Sequence, residues 1–357
     1  YKSLTDLANI IAAADAGAEI TLDDDYAYIE AFDSALVNGI VIDKDITIKG
    51  AEDANIINGS DLARLFKVTD GKTLTLDGVT IANGKADDGA GIYVDSGAKL
   101  VATGSTFKDN TATYSGGAIY ADGAQITLTD CVLDGNDVTD YTKNNDTGGA
   151  AIYGNSATIA LVNTNVTNNG NKELDRTKGD LVNGVINLMN SDATVTGCVF
   201  ENNTGIYGGA ITTQAPAGAK TLTISESNFT ANAAYTGGAV YVGDNVKYTI
   251  EDSIFDANNK ATGEGSPGYT SGGGAIQIWH AGEGTIDNVT IKNSIATQGG
   301  AIGVEGATVT IKDSTFEGNT ATSEGGAIYA YNDATTTVTG CTFTNNDAPF
   351  GSAISND

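Results

Sequence analysis

The sequence predicts an all-β fold built as a parallel β-solenoid. Two repeated motifs and a composition rich in turns predict it. A Gly-Gly-Ala-Ile tetrad recurs along most of the chain, and a Phe-x-x-Asn motif precedes it at a near-constant distance. Among 357 residues there are 46 glycines and only 3 prolines, and Asn, Asp, Thr and Ser crowd the gaps between short apolar runs. Many short strands joined by many turns give that composition, and helical bundles do not.

The N-terminal element is read as a helix. Ser3 stands as an N-cap before apolar residues at helical spacing through Ala14, Asp6 is the acidic third helical residue, and Gly17 is expected to stop it. Residues 1–19 would then cover the open edge of the first turn. Residues 20–81 form early, less regular turns, with Ile20-Thr21-Leu22, Ile40-Val41-Ile42, Ile46-Thr47-Ile48 and Leu74-Thr75-Leu76 as their strands. Residues 82–357 are the regular part of a single solenoid domain spanning 20–357.

The tetrad is plain at Gly116-Gly117-Ala118-Ile119, Gly208-Gly209-Ala210-Ile211, Gly273-Gly274-Ala275-Ile276, Gly299-Gly300-Ala301-Ile302 and Gly325-Gly326-Ala327-Ile328. Variants ending at Ile92, Ile152, Ile186, Val240 and Ile354 complete the series at spacings of 25 to 36 residues. Phe107/Asn110, Phe200/Asn203, Phe229/Asn232, Phe255/Asn258, Phe316/Asn319 and Phe343/Asn346 carry the second motif. Each unit holds three short apolar stretches that cannot bury their own inner faces. Stacking successive units about 4.8 Å apart pairs every strand with its copies.

Period-two alternation assigns the faces. Two residues after the tetrad stand Val94, Ala121, Leu188, Val242, Ile278 and Val304, which point inward. Between them stand Tyr93, Tyr120, Tyr153, Tyr241 and Tyr329, read as outward and exposed, with Trp279 on the same strand. Ser105, Cys131, Thr164, Cys198, Ser227, Ser253, Ser314 and Cys341 form an inward column of small residues. Its three cysteines lie two or more turns apart, beyond the roughly 7 Å Cα separation a disulfide allows, so they are expected free and buried. The Asn residues read as a ladder of stacked turns, and the glycine pairs as turn or close-approach positions.

At this point the tetrads and Phe-x-x-Asn motifs of residues 80–357 resemble the repeats of chlamydial polymorphic membrane proteins and of adhesin-like surface proteins of methanogenic archaea and some bacteria. The stretch from Tyr26-Ala27-Tyr28 to Ala63-Arg64-Leu65-Phe66 resembles the opening turns of the methanogen type. The resemblance implies a right-handed parallel β-helix of the pectin-lyase type, here of about twelve turns, on a secreted, cell-surface protein.

Lys+Arg 18 against Asp+Glu 45 gives a formal charge of −27, which repels nucleic acid and anionic lipid. No run approaches the roughly 18 apolar residues that cross a bilayer, so no membrane insertion by this segment is expected. The chain opens at Tyr1 with no basic, apolar leader, so any signal or anchor is expected outside this segment. An uncapped edge at Asp357 is expected to invite pairing.

Chemistry on the scaffold is not expected. His280 is the one histidine, Arg64 and Arg176 the two arginines, and Asp23-Asp24-Asp25 and Asp87-Asp88 read as solvated turns. The chain is therefore expected not to be an enzyme, with no catalytic residue, metal or cofactor called for. A polysaccharide lyase or hydrolase is the less favoured alternative. The favoured function is attachment to a host or neighbouring-cell protein or glycan. A structural subunit of an extracellular sheath or filament, pairing with copies of itself, is the alternative.

Candidate binding residues are Tyr93, Tyr120, Tyr153, Tyr241, Trp279 and Tyr329 on the aromatic face. Tyr141, Lys143, Lys172, Arg176, Lys178, Lys260 and Tyr269 lie in the insertions Asp137–Gly148, Gly170–Asn183 and Asn259–Gly272, which leave one corner. Acceptor triplets for N-glycosylation occur at Asn58, Asn145, Asn165, Asn202, Asn228 and Asn288, with Asn165, Asn228 and Asn288 facing solvent.

Overall fold

A computed structural model describes residues 1–52, 55–141, 147–171, 173–174, 178–258 and 272–357. The chain is a right-handed β-helix of about twelve turns, with 13, 12 and 12 strands on its three long faces among the described residues. Face A carries the Phe-x-x-Asn strand, face C the strand after the tetrad, and face B the strand between them. The chain divides into two compact units, Tyr1–Asp140 with Gly148–Gly170, and Tyr141–Thr147 with Asn171–Asp357.

The first unit begins with strand Lys2–Ser3, paired with Tyr26–Ala27, and helix α1, Leu4–Ala13. Ser3 and Asp6 cap each other's backbone amides, and Leu4, Leu7 and Ile11 are buried. The helix ends at Ala13, not at Gly17, which turns the chain afterwards with φ +83°. The sequence reading missed Asp33. Its buried carboxylate accepts from the Leu4, Thr5 and Ile29 amides and the Thr5 hydroxyl, tying the start of α1 to residues 29–33. In-register columns then follow as expected, such as Leu74, Leu100, Ile126 and Ile159 on face B and Ile92, Ile119 and Ile152 on face C.

The second unit repeats the plan. Phe200, Phe229 and Phe255 stack at 4.7 and 4.6 Å with rings 2° apart. Their period is the strand spacing itself. Ile211, Val240, Ile276, Ile302, Ile328 and Ile354 continue face C. One interior exchange of size stands out on face B. Tyr248 pairs in register with Gly284, and a Cβ on Gly284 would lie 2.1 Å from the tyrosine ring. The ring thus fills the space that a neighbouring side chain would occupy.

The tetrad's two glycines do different work. Gly116 has φ +66°, a left-handed turn, while a Cβ on Gly117 would meet the Ala150 carbonyl oxygen at 2.1 Å. The asparagine ladder is buried and in series. In the second unit, Asn232 accepts from the Asn203 amide and side chain, and donates to the Asn258 side chain and the Phe200 carbonyl. The left-handed residue is the one before it, Ala231 at φ +53°, so the Asn is retained for its side chain and not for its backbone.

The small-residue column is also a hydrogen-bonded one. Ser227 accepts from the Cys198 amide and donates to the Ser225 carbonyl. Cys131 donates likewise to the Thr129 and Ala102 carbonyls, and burial pushes its thiol pKa up. All three cysteines are free, Cys131 and Cys198 buried, but Cys341 is half-exposed and departs from the expected burial. Among the described residues, no helix is long and apolar enough to cross a membrane.

Between the Asn and the next tetrad, stretches beyond the three counted in each unit form further short strands: Lys85–Asp88, Thr111–Ser115 and Asp137–Val138 in the first unit, Ile295–Gln298 and Thr320–Glu324 in the second. They run beside face C as a wall.

Candidate functional site

Alternation does put the tyrosines on the outer side of face C, but exposure does not follow. Tyr153, Tyr241 and Tyr329 are buried, and Tyr93 and Tyr120 half-buried. The reading of an exposed aromatic platform is corrected by the wall strands, which come close to the same side chains. A Cβ on Gly89, at the end of one such strand, would touch the Tyr120 side chain at 2.9 Å.

In the first unit the rings stack along the solenoid, Tyr93 on Tyr120 at 4.9 Å and Tyr120 on Tyr153 at 5.0 Å, with interplanar angles of 13° and 18°. The other side of Tyr93 faces the Arg64 guanidinium at 5.3 Å and the Lys67 ammonium at 5.5 Å. Both faces of Tyr93 and of Tyr120 are therefore occupied, and these rings present edges rather than faces. Arg64 donates to the Gly89, Asn38 and Asp88 carbonyls, and burial lowers its pKa. Burial likewise raises the Tyr93 and Tyr120 hydroxyls. Beside the stack, Lys67 pairs with Asp95 at 3.6 Å and Asn155 donates to Asp122 at 3.1 Å.

In the second unit the corresponding outer positions hold Tyr241, Gln277, Gly303 and Tyr329. Tyr241 meets Tyr207 edge-on at 5.5 Å. Two residues further along the same strands stand Trp279, Glu305 and Tyr331, adjacent in register and all half-buried. Glu305 accepts from the Tyr331 hydroxyl at 2.5 Å and the Asn332 amide at 2.8 Å. Tyr331 stacks on Tyr329 at 4.8 Å. Burial first, then the charge and hydrogen bond of Glu324, push the Tyr329 hydroxyl up to about 12. Gln298 donates to that same Glu324 at 2.9 Å. Two carboxylates thus flank one tyrosine pair.

Glu305, Glu324, Gln298 and Tyr331 were not singled out by sequence reasoning. All four lie outside the tyrosine column, and the signal for Glu305 and Tyr331 was the column three residues after the tetrad, shared with Asp95, Asp122, Asn155 and Trp279.

The remaining candidates are scattered. Lys143, Asn145, Lys172, Arg176, Lys260 and Tyr269 lie outside the described residues. Tyr141 is half-buried and accepts from the Asn171 side chain at 2.7 Å, and Lys178 is exposed. Asn165, Asn228 and Asn288 face solvent, while Asn58 and Asn202 are half-buried. His280 is exposed at φ +48°, edge-on to Trp279 at 4.5 Å. Asp23 holds Lys2 and the Tyr26 hydroxyl, and Asp25 accepts from the Asn55 and Ile56 amides, so both serve the first turns.

The fold is similar to several solved structures. The catalytic unit of an α-1,3-glucanase from Streptomyces thermodiastaticus strain HF3-3 is 15% identical over 95% of this chain and 68% of that one, with a TM-score of 0.49. A PL6 alginate lyase solved with a trisaccharide is 13% identical over 99% and 83%, with a TM-score of 0.46. PfbA, a surface adhesin of Streptococcus pneumoniae, is 11% identical over 96% and 90%, with a TM-score of 0.47. No curated protein matches the chain by sequence. These are likenesses of fold. The expectation that the chain is not an enzyme is corrected by these findings, since a glucanase and alginate lyases are among the solved structures to which it is similar. The family model for the right handed beta helix region matches residues 66–263 and 239–356, and the chain belongs to that family.

Proposed function

We propose that the chain is an adhesin-like recognition domain of a secreted, cell-surface protein, attaching to a protein or glycan of a host or neighbouring cell. The observation that carries this reading is the outward Trp279–Glu305–Tyr331 row. Solenoid stacking requires the inward columns and not this one. Here two large aromatic side chains stay partly in water on either side of a carboxylate that two hydrogen bonds hold in place. Amphipathic aromatics and a fixed acceptor suit recognition of a sugar or protein surface. The resemblance of the repeats to polymorphic membrane proteins and methanogen adhesin-like proteins supports the same reading.

Beads coated with the purified protein, applied to cell panels and a glycan array, test it. Attachment that Trp279→Ala weakens without changing the melting temperature is expected. Beads that adhere to no surface would sink the reading.

A polysaccharide lyase or hydrolase is the second reading. It is favoured by Glu305 and Glu324, each bonded to one tyrosine of the stacked Tyr329–Tyr331 pair, since paired carboxylates are the usual machinery of glycosidic cleavage. Release of reducing ends or unsaturated sugars from a polysaccharide panel, lost in Glu305→Gln, would establish it.

A further inference from the structure

The outer side of face B carries a feature that neither motif announces. In the second unit its central position is threonine in six successive strands, Thr194, Thr223, Thr249, Thr285, Thr310 and Thr337, paired one with the next in register. Parallel pairing sets them about 4.8 Å apart along a rigid surface. In the first unit Val101 and Ala160 interrupt the same row. All six threonines of the second unit are exposed or half-exposed, and among the described residues none of their hydroxyls has a protein hydrogen-bond partner. Thr221, by contrast, is bonded to Asp192. β-Branched residues suit a strand surface, but that preference is met equally by valine and does not select an unbroken run of hydroxyls.

A depression of 290 Å3 opens on this row, with Thr221, Thr223, Thr249, Thr285, Lys247 and Glu283 in its lining. That approaches the volume of a small-ligand site. Lys247 and Glu283 form no ion pair with described residues, so one donor and one acceptor are available at the rim. The nearby charges are already matched, Lys220 with Asp192 at 3.1 Å and Lys312 with Asp287 at 2.9 Å. The surface therefore offers hydroxyl donors and acceptors at a fixed period with its local charge balanced.

We propose that the threonine row of face B binds a neutral polysaccharide chain lying along the solenoid. Each hydroxyl both donates and accepts, as sugar hydroxyls do. A chain polymer meets the same group in successive turns, so weak contacts add by multivalency. A polyanion is disfavoured by the formal charge of −27. The proposal rests on the recognition reading and assigns that function a ligand class and a second face.

Electrophoresis of the full chain through gels containing dextran, mannan, hydroxyethylcellulose or alginate tests it. Retardation by at least one neutral polysaccharide, and none by alginate, is expected. The variant Thr223→Val/Thr249→Val/Thr285→Val keeps β-branched shape and loses three hydroxyls. It should bind roughly tenfold or more weakly while melting as the parent does. Should that variant fold poorly, Lys247→Gln/Glu283→Gln at the exposed rim should weaken retardation severalfold. Thr342→Val, the same change at an exposed threonine of face A, should leave it unchanged. The proposal is overturned if no neutral gel retards the chain, if alginate alone does, or if the face B variants that fold run as the parent. Cell attachment that survives the face B variants would remove this proposal and leave the recognition reading standing. Retardation by a neutral gel without attachment to any cell would do the reverse.

Discussion

The asparagine corner and the outer row of face C are both columns of one side chain per turn, yet they obey different rules. At the corner, Asn203, Asn232 and Asn258 are buried and each side chain joins two turns. On face C the second unit's outer column changes from Tyr241 to Gln277 to Gly303 to Tyr329 within four turns. A column whose members close buried hydrogen bonds is held to a narrow chemistry, with asparagine replaced in the second unit only by the buried Ser294, whose amide still donates to Asn319. A column that the fold does not need can vary, and that is where recognition can be placed.

The largest effect should come from breaking the corner. Asn232→Ala removes the acceptor of the Asn203 amide and side chain and the donor to the Phe200 carbonyl and the Asn258 side chain, and a loss of about 3–5 kcal/mol is expected, since each buried unsatisfied group costs about 1–3 kcal/mol. Denaturant unfolding measures it. A shift below about 1 kcal/mol would erase the contrast.

Next in size is the interior of face B. Gly284→Ala places a methyl against the Tyr248 ring and should cost about 1–3 kcal/mol. Pairing it with Tyr248→Leu should recover most of that. If the double variant is no better than the single one, the two positions are not complementary in size.

On the aromatic face, the Tyr329 hydroxyl titrates near 12, above the ordinary value of 10. A raised pKa favours the protonated native form. Its stabilisation is therefore complete below about pH 10 and is lost as pH rises through 10 to 12. Ultraviolet titration of tyrosinate should show a late-ionising class whose appearance coincides with a falling melting temperature. Tyr329→Phe should reduce that fall, and an unchanged alkaline profile would count against it.

Smaller still is the left-handed residue beside the ladder. Ala231→Gly removes a Cβ at φ +53°, and a gain of up to about 1 kcal/mol is expected by thermal unfolding. The smallest change in stability should be that of Trp279→Ala, within about 1 kcal/mol, although attachment should fall. A large loss of stability there would make Trp279 a structural residue like Asn232.

The inward columns were legible because period-two alternation and a repeat of about 26 residues are properties of the chain itself. Phe107, Phe200, Phe229, Phe255 and Phe316 are fully buried as their motif requires. The candidate site was legible only in part. Tyr93, Tyr120, Tyr153, Tyr241 and Tyr329 could be placed on the outer side by alternation. Their cover could not, because the wall strands Thr111–Ser115 and Thr320–Glu324 repeat only one inward residue each, Ala112 and Ala321, too little for alternation to mark a strand.

By itself, then, the sequence determined which residues face inward and which turns carry glycine or asparagine, since those follow from local spacing and backbone sterics. Only the tertiary structure decided the rest. That Tyr93 is sandwiched between Tyr120 and two cations, that Glu305 lies between Trp279 and Tyr331, and that six threonines align on face B are contacts between residues roughly one turn apart in the chain. Counting from the tetrad aligns these positions, and Trp279, Glu305 and Tyr331 even stand a constant 26 residues apart. Alignment does not say which of the aligned side chains bond, stack or stay uncovered, because that depends on what packs beside them in three dimensions.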